Sequence, residues 1–97
     1  MKPIRLHVEA KAEAEAAALY YESRQPGLGF DFLAEVDAAL DRIAASPGRW
    51  QRAGHGTRRV NTTRFPYTLF YLDTPDAALV LAVAPQRRRP NYWRSRI

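Results

Sequence analysis

The chain has no cysteine, one methionine, two histidines and only two lysines among its 97 residues. Without cysteine it forms neither a disulfide nor a thiolate metal site. His7 and His55 stand too far apart in sequence to suggest a ligand pair, so no metal and no cofactor is expected. No apolar run approaches the roughly 20 residues that span a bilayer. The start, Met1-Lys2-Pro3-Ile4-Arg5, lacks the apolar core of a signal peptide. These absences lead us to expect a cytoplasmic protein without a membrane partner.

Acid is scarce in one half only. Residues 1–48 carry five Lys and Arg against eight Asp and Glu, whereas residues 49–97 carry ten Arg against Asp73 and Asp76 alone. The basic pole is built entirely from arginine, whose planar guanidinium makes bidentate contacts to carboxylate and phosphate. Hydrophobic residues make up 46% and aromatics 11%, a globular rather than disordered composition. The length suits one domain, residues 1–97, with little room for a deep cavity.

Periodicity orders the elements. Ile4–Val8 alternates apolar and polar as a half-buried strand does. Ala10, Ala14, Ala17, Ala18 and Tyr21 then fall at helical spacing, until Gln25-Pro26-Gly27 breaks the helix. A second helix is expected over Leu28–Ala45, with Phe32, Val36, Ala39, Leu40 and Ile43 as its inward stripe and Ser46-Pro47-Gly48 as its stop. A loop through Gln51 and Gly54-His55-Gly56 leads to strands over Thr57–Asn61, Tyr67–Leu72 and Ala77–Ala84, the last two joined at Asp73-Thr74-Pro75-Asp76. The expected fold is α+β, β-α-α-β-β-β: a small, mostly antiparallel sheet against an N-terminal helical hairpin.

After the apolar run Leu79–Ala84 come Arg87, Arg88, Arg89, Arg94 and Arg96, with no acidic residue among them. Of these, Arg87, Arg88 and Arg89 are expected to line, together with Arg58, Arg59 and Arg64, one depression that binds an anion. Such cations can stabilise phosphodiester cleavage if a base activates the ribose hydroxyl. Tyr92 is a candidate for stacking or proton transfer, and His55, on a glycine-flanked loop, for general base. Trp93 is read first as cover for the core edge, with stacking as its functional alternative. Glu13, Glu22 and Glu35 are read as solvated helix residues, and Tyr20 and Tyr21 as helix-to-sheet packing.

The segments Ala16–Glu22, Gly27–Val36, Arg58-Arg59-Val60, Arg64–Tyr71, Leu81–Ala84 and Arg87–Trp93, in this order and spacing, resemble the RelE/ParE superfamily of bacterial type II toxins. The resemblance spans nearly the whole chain. It implies a growth-inhibiting toxin of the kind linked to plasmid stabilisation, held by a cognate antitoxin in a hetero-oligomer. Relatives act by cutting messenger RNA on the ribosome or by inhibiting DNA gyrase.

For a ribonuclease, the resemblance carries catalysis onto Arg59, Arg64 and Tyr92, with Arg87 as the substitute for the arginine expected one position earlier. The clustering of charge, read from the residues themselves, marks Arg58, Arg59, Arg64, Arg87, Arg88, Arg89 and Trp93 as the antitoxin or phosphate face. Pro85 stands where relatives commonly carry histidine, Gln86 where an arginine is expected, and the second-strand lysines are absent. These departures lean the reading toward gyrase inhibition through protein binding, with the ribosome-dependent endonuclease and a non-toxic antitoxin-binding remnant as alternatives. The acidic, amphipathic antitoxin segment that the resemblance implies would meet the basic half as an electrostatic docking face.

Overall fold

The computed structural model describes every residue from Met1 to Ile97. The first strand, β1 (Ile4–Leu6), stops two residues short of its expected end because His7 begins a helix. The His7 Nδ1 accepts the Glu9 backbone N–H at 3.1 Å and so caps α1 (Val8–Arg24). α2 (Leu28–Ala45) opens at Gly27, whose φ of 88° lies in the left-handed region where a side chain is costly. Gly27 brings no capping side chain. Glu22 of α1 reaches across instead, accepting the N–H of Gly27 at 2.9 Å and of Gly29 at 3.0 Å.

The two helices pack closely because small residues face each other. Ala10, Ala14, Ala17 and Ala18 are the buried positions of α1, and Gly29 of α2 lies against the Ala18 carbonyl. A Cβ at Gly29 would stand 2.5 Å from that oxygen, so only glycine fits.

Beneath the hairpin lies a five-stranded sheet of order β1-β5-β4-β3-β2. It contains β2 (Gln51–Gly54), β3 (Thr57–Asn61), β4 (Tyr67–Asp73) and β5 (Ala78–Pro85), antiparallel except for the parallel pair β1 and β5. β2 is one strand more than the periodicity suggests. Its side chains are exposed apart from half-buried Ala53, so this edge strand has no apolar alternation to read.

Alternation along the central strands divides the core in two. Val60, Leu69, Tyr71, Val80 and Val83 join Phe32, Val36 and Ile43 in the main cluster under the helices. Phe70, Leu72, Leu79 and Ala84 belong to a second cluster on the opposite face, where Trp93 covers them. Opposite Phe70 and Tyr71, β5 carries an extra residue, Leu81, in a bulge.

Tyr21, Phe32, Phe65 and Tyr67 form an aromatic group with centroids 4.8 to 6.2 Å apart. Tyr20 lies edge-on to Tyr21 at 5.3 Å but is 54% exposed, outside the core, although its sequence context suggested helix-to-sheet packing.

Candidate functional site

A depression of about 350 Å³ opens on the sheet face away from the helices. Arg59 and Asn61 of β3 and Thr68 and Phe70 of β4 form its floor and one wall, and Arg88, Arg89, Asn91 and Tyr92 form the other. Asn91 adopts φ 63°, a left-handed conformation that asparagine tolerates better than most residues. This turn starts a 3₁₀ helix over Tyr92–Arg96 and folds the C-terminal segment back across the sheet.

The expected single cluster of arginines divides among several places. Arg59, Arg88 and Arg89 meet in the depression. Arg58 alternates onto the same face as Val60, and its guanidinium donates to the Trp50 carbonyl at 2.7 Å. Arg64 lies in the β3–β4 loop, 3.4 Å from Asp31 and 5.3 Å from the Phe65 ring centroid. Arg87 lines a separate depression beside Tyr20, Tyr21 and Tyr67. Strand alternation and loop direction thus part residues that are neighbours in sequence.

The aromatic candidates are also placed differently from the expected binding face. Trp93 is 1% exposed and stacked on Phe70 at 4.8 Å, which makes it core cover rather than a free stacking surface. His55 occupies the tip of the β2–β3 hairpin, with φ 53° between two left-handed glycines. Its ring lies edge-on to Trp93 at 6.2 Å and does not line the depression.

Tyr92 is held inside the protein by Glu13. Its hydroxyl donates to the Glu13 carboxylate at 2.7 Å, and Arg88 lies over its ring at 3.8 Å. Burial first, then the bond to Glu13 and that carboxylate's charge, push the phenol well above its ordinary pKa.

Glu13, read from sequence as a solvated helix residue, is a half-buried hub. It accepts the Val83 N–H at 3.0 Å, the Tyr92 hydroxyl, and both terminal nitrogens of Arg96 at 3.0 and 2.9 Å. Arg96 also donates to the Leu81 carbonyl at 2.9 Å and pairs with Glu9 at 2.9 Å. Arg88 and Arg96 are therefore not free of acid: α1 supplies it from the other end of the chain.

Glu35 likewise has a partner. It accepts the N–H groups of Thr63 and Arg64 at 2.9 and 3.0 Å, and the Arg64 bond foremost lowers its pKa.

The sequence profile described as the ParE toxin of the type II toxin-antitoxin system, parDE, matches residues 4–90. The chain belongs to the ParE toxin family. Its fold is similar to a chain of the chromosomal ParDE TA system from P. aeruginosa, with a TM-score of 0.76 and 15% identity over 88% of this chain and 96% of that one. No curated protein matches it in sequence. No helix of this toxin is long and apolar enough to cross a membrane, and no group of three His, Cys, Asp or Glu side chains is placed to hold a metal ion.

Sequence reasoning missed Glu13 and Asn61 as site residues of the toxin. Glu13 stands 70 positions from Val83 and 79 from Tyr92. A helix glutamate has no local pattern that distinguishes such a role. One signal was available: Glu13 shares its helical row with buried Ala10, Ala14 and Ala17, an unusual place for an unpaired acid.

Proposed function

We propose that this ParE-family toxin arrests bacterial growth by binding a protein target, DNA gyrase, and that a cognate antitoxin neutralises it. One observation carries the choice against messenger RNA cleavage. The depression gathers Arg59, Arg88 and Arg89 but holds no side chain suited to move a proton near neutral pH. Its only titratable group besides arginine is the Tyr92 phenol, engaged with Glu13 and shifted away from neutrality. Cations without a base can hold an anion but lack half of what a phosphodiester cleavage requires.

The antitoxin reading has its own support. Leu19, Phe30 and Leu33 stand exposed along an apolar groove on the outer side of the helix hairpin, with Ala18 and Gly29 beside them. A groove of this shape suits the apolar face of an amphipathic helix.

The test is inducible expression of wild type beside Arg64→Ala/Tyr92→Phe, following growth, message integrity and plasmid supercoiling. Arrest with intact messages and altered supercoiling, retained in the double variant, is the expected result. Cut messages in wild type, lost in a double variant that still folds, would establish the endonuclease instead.

A further inference from the structure

We infer that the depression between β3, β4 and the C-terminal segment is a socket for an ionised carboxylate side chain of an acidic peptide. The inference rests on the reading that this toxin works through protein partners, and it names the chemistry of the partner segment that enters this site. Arg59 and Arg89 line the depression, are exposed, and their guanidinium groups make no hydrogen bond or ion pair within the protein. Asn61 Oδ1 accepts the Thr68 hydroxyl at 2.6 Å, which leaves the amide nitrogen of this lining residue as a donor without a partner. Arg88, 4.0 Å from Glu13, adds a third guanidinium to the wall. These groups all donate, so the complementary ligand only accepts, as an ionised carboxylate does.

Phosphate on a nucleic acid shares that property, and the rings decide between the two. Single-stranded nucleic acids are held by a basic groove together with aromatic faces on which bases stack. Here Trp93 is buried, Phe70 is stacked on Trp93, and Tyr92 lies under Arg88 at 3.8 Å with Arg96 5.2 Å from the same ring. Each ring already has a partner. A flexible Glu or Asp side chain needs no ring and reaches guanidiniums from a peptide lying over the mouth.

The protein holds a carboxylate of its own in the same manner next door. Glu13 sits among Arg96, the Tyr92 hydroxyl and a backbone N–H, with Arg88 between it and the depression.

The test is fluorescence anisotropy of purified toxin with labelled hexaglutamate and, separately, labelled hexathymidylate. Wild type is compared with Arg59→Gln/Arg89→Gln and with the charge-matched control Arg5→Gln/Arg52→Gln, whose arginines are exposed and lie outside the depression. Loss of two charge-assisted contacts is expected to weaken hexaglutamate about tenfold or more. The control should stay within about twofold, since a remote charge acts only through the screened field. Equal weakening in both pairs would reduce the effect to net charge and overturn the socket. So would absence of hexaglutamate binding, or tighter hexathymidylate binding with the same dependence on Arg59 and Arg89. Binding is read on the purified protein, so it succeeds or fails separately from whether the free toxin arrests growth through gyrase.

Discussion

Replacing Glu13 by alanine removes one carboxylate and strands four donors at once: the Val83 N–H, the Tyr92 hydroxyl and two nitrogens of Arg96. The side chains of Arg96 and Glu13 are only 10% and 15% exposed, so water replaces the lost acceptor poorly. Breaking a buried ion pair from one side costs about 3–5 kcal/mol, because the remaining charge is left uncompensated. Glu9 stays on Arg96 at 2.9 Å, but it is 61% exposed and contributes at most about 1 kcal/mol.

The net cost of Glu13→Ala is therefore about 3 kcal/mol. That is a large share of the roughly 5–15 kcal/mol that holds a domain together. At ~4–8 °C per kcal/mol, Tm should fall by roughly 12–24 °C. Thermal unfolding by circular dichroism reads this directly, and the Trp93 indole resonance reports whether the C-terminal segment loosens first. Glu13→Gln, which keeps an acceptor but drops the charge, should lose about half as much. In a cycle with Arg96→Met the two side chains should couple by about 2 kcal/mol. A Glu13→Ala protein melting within about 4 °C of wild type would refute the reasoning and reduce the cluster to surface decoration.

Gly29→Ala should destabilise by about 1–3 kcal/mol, because the new Cβ meets the Ala18 carbonyl at 2.5 Å and α1 must move from α2; chemical denaturation checks it. At high pH, stability should fall. Tyr92 is raised by burial and by Glu13, and Tyr67 and Tyr71 are each pushed by burial to about 12. A phenol whose folded pKa exceeds its unfolded value of about 10 stabilises fully below pH 10 and loses that contribution as pH rises through the folded value. Phenolate absorbance followed during alkaline titration should show these tyrosines ionising only as the protein unfolds; free ionisation near pH 10 would contradict their burial.

Periodicity and breakers sufficed for much of this fold, since a pattern in the chain reports which face is buried. α2 begins and ends where Gly27 and Ser46-Pro47-Gly48 place it, and four of the five apolar positions on its inward stripe are buried. β3 occupies the residues its alternation marks, and β4 and β5 differ from theirs by a residue at the ends. β2 and the 3₁₀ helix escaped notice. The first is an exposed edge that pairs through its backbone, and the second is held by side chains far away in sequence.

Periodicity and composition by themselves determined an α+β fold with an acidic helical half and an arginine-only basic half, because burial pattern and charge are local properties. Which arginines act together was decided only by the tertiary structure. Alternation sends Arg58 and Arg59 to opposite faces, and the turn after β5 carries Arg87 away from Arg88 and Arg89. The partners of Tyr92 and Arg96 were decided there too, since packing α1 on β5 brings Glu13 to residues some 80 positions away. Charge can be counted along a chain, but neutralisation depends on distance, and distance exists only once the chain is folded.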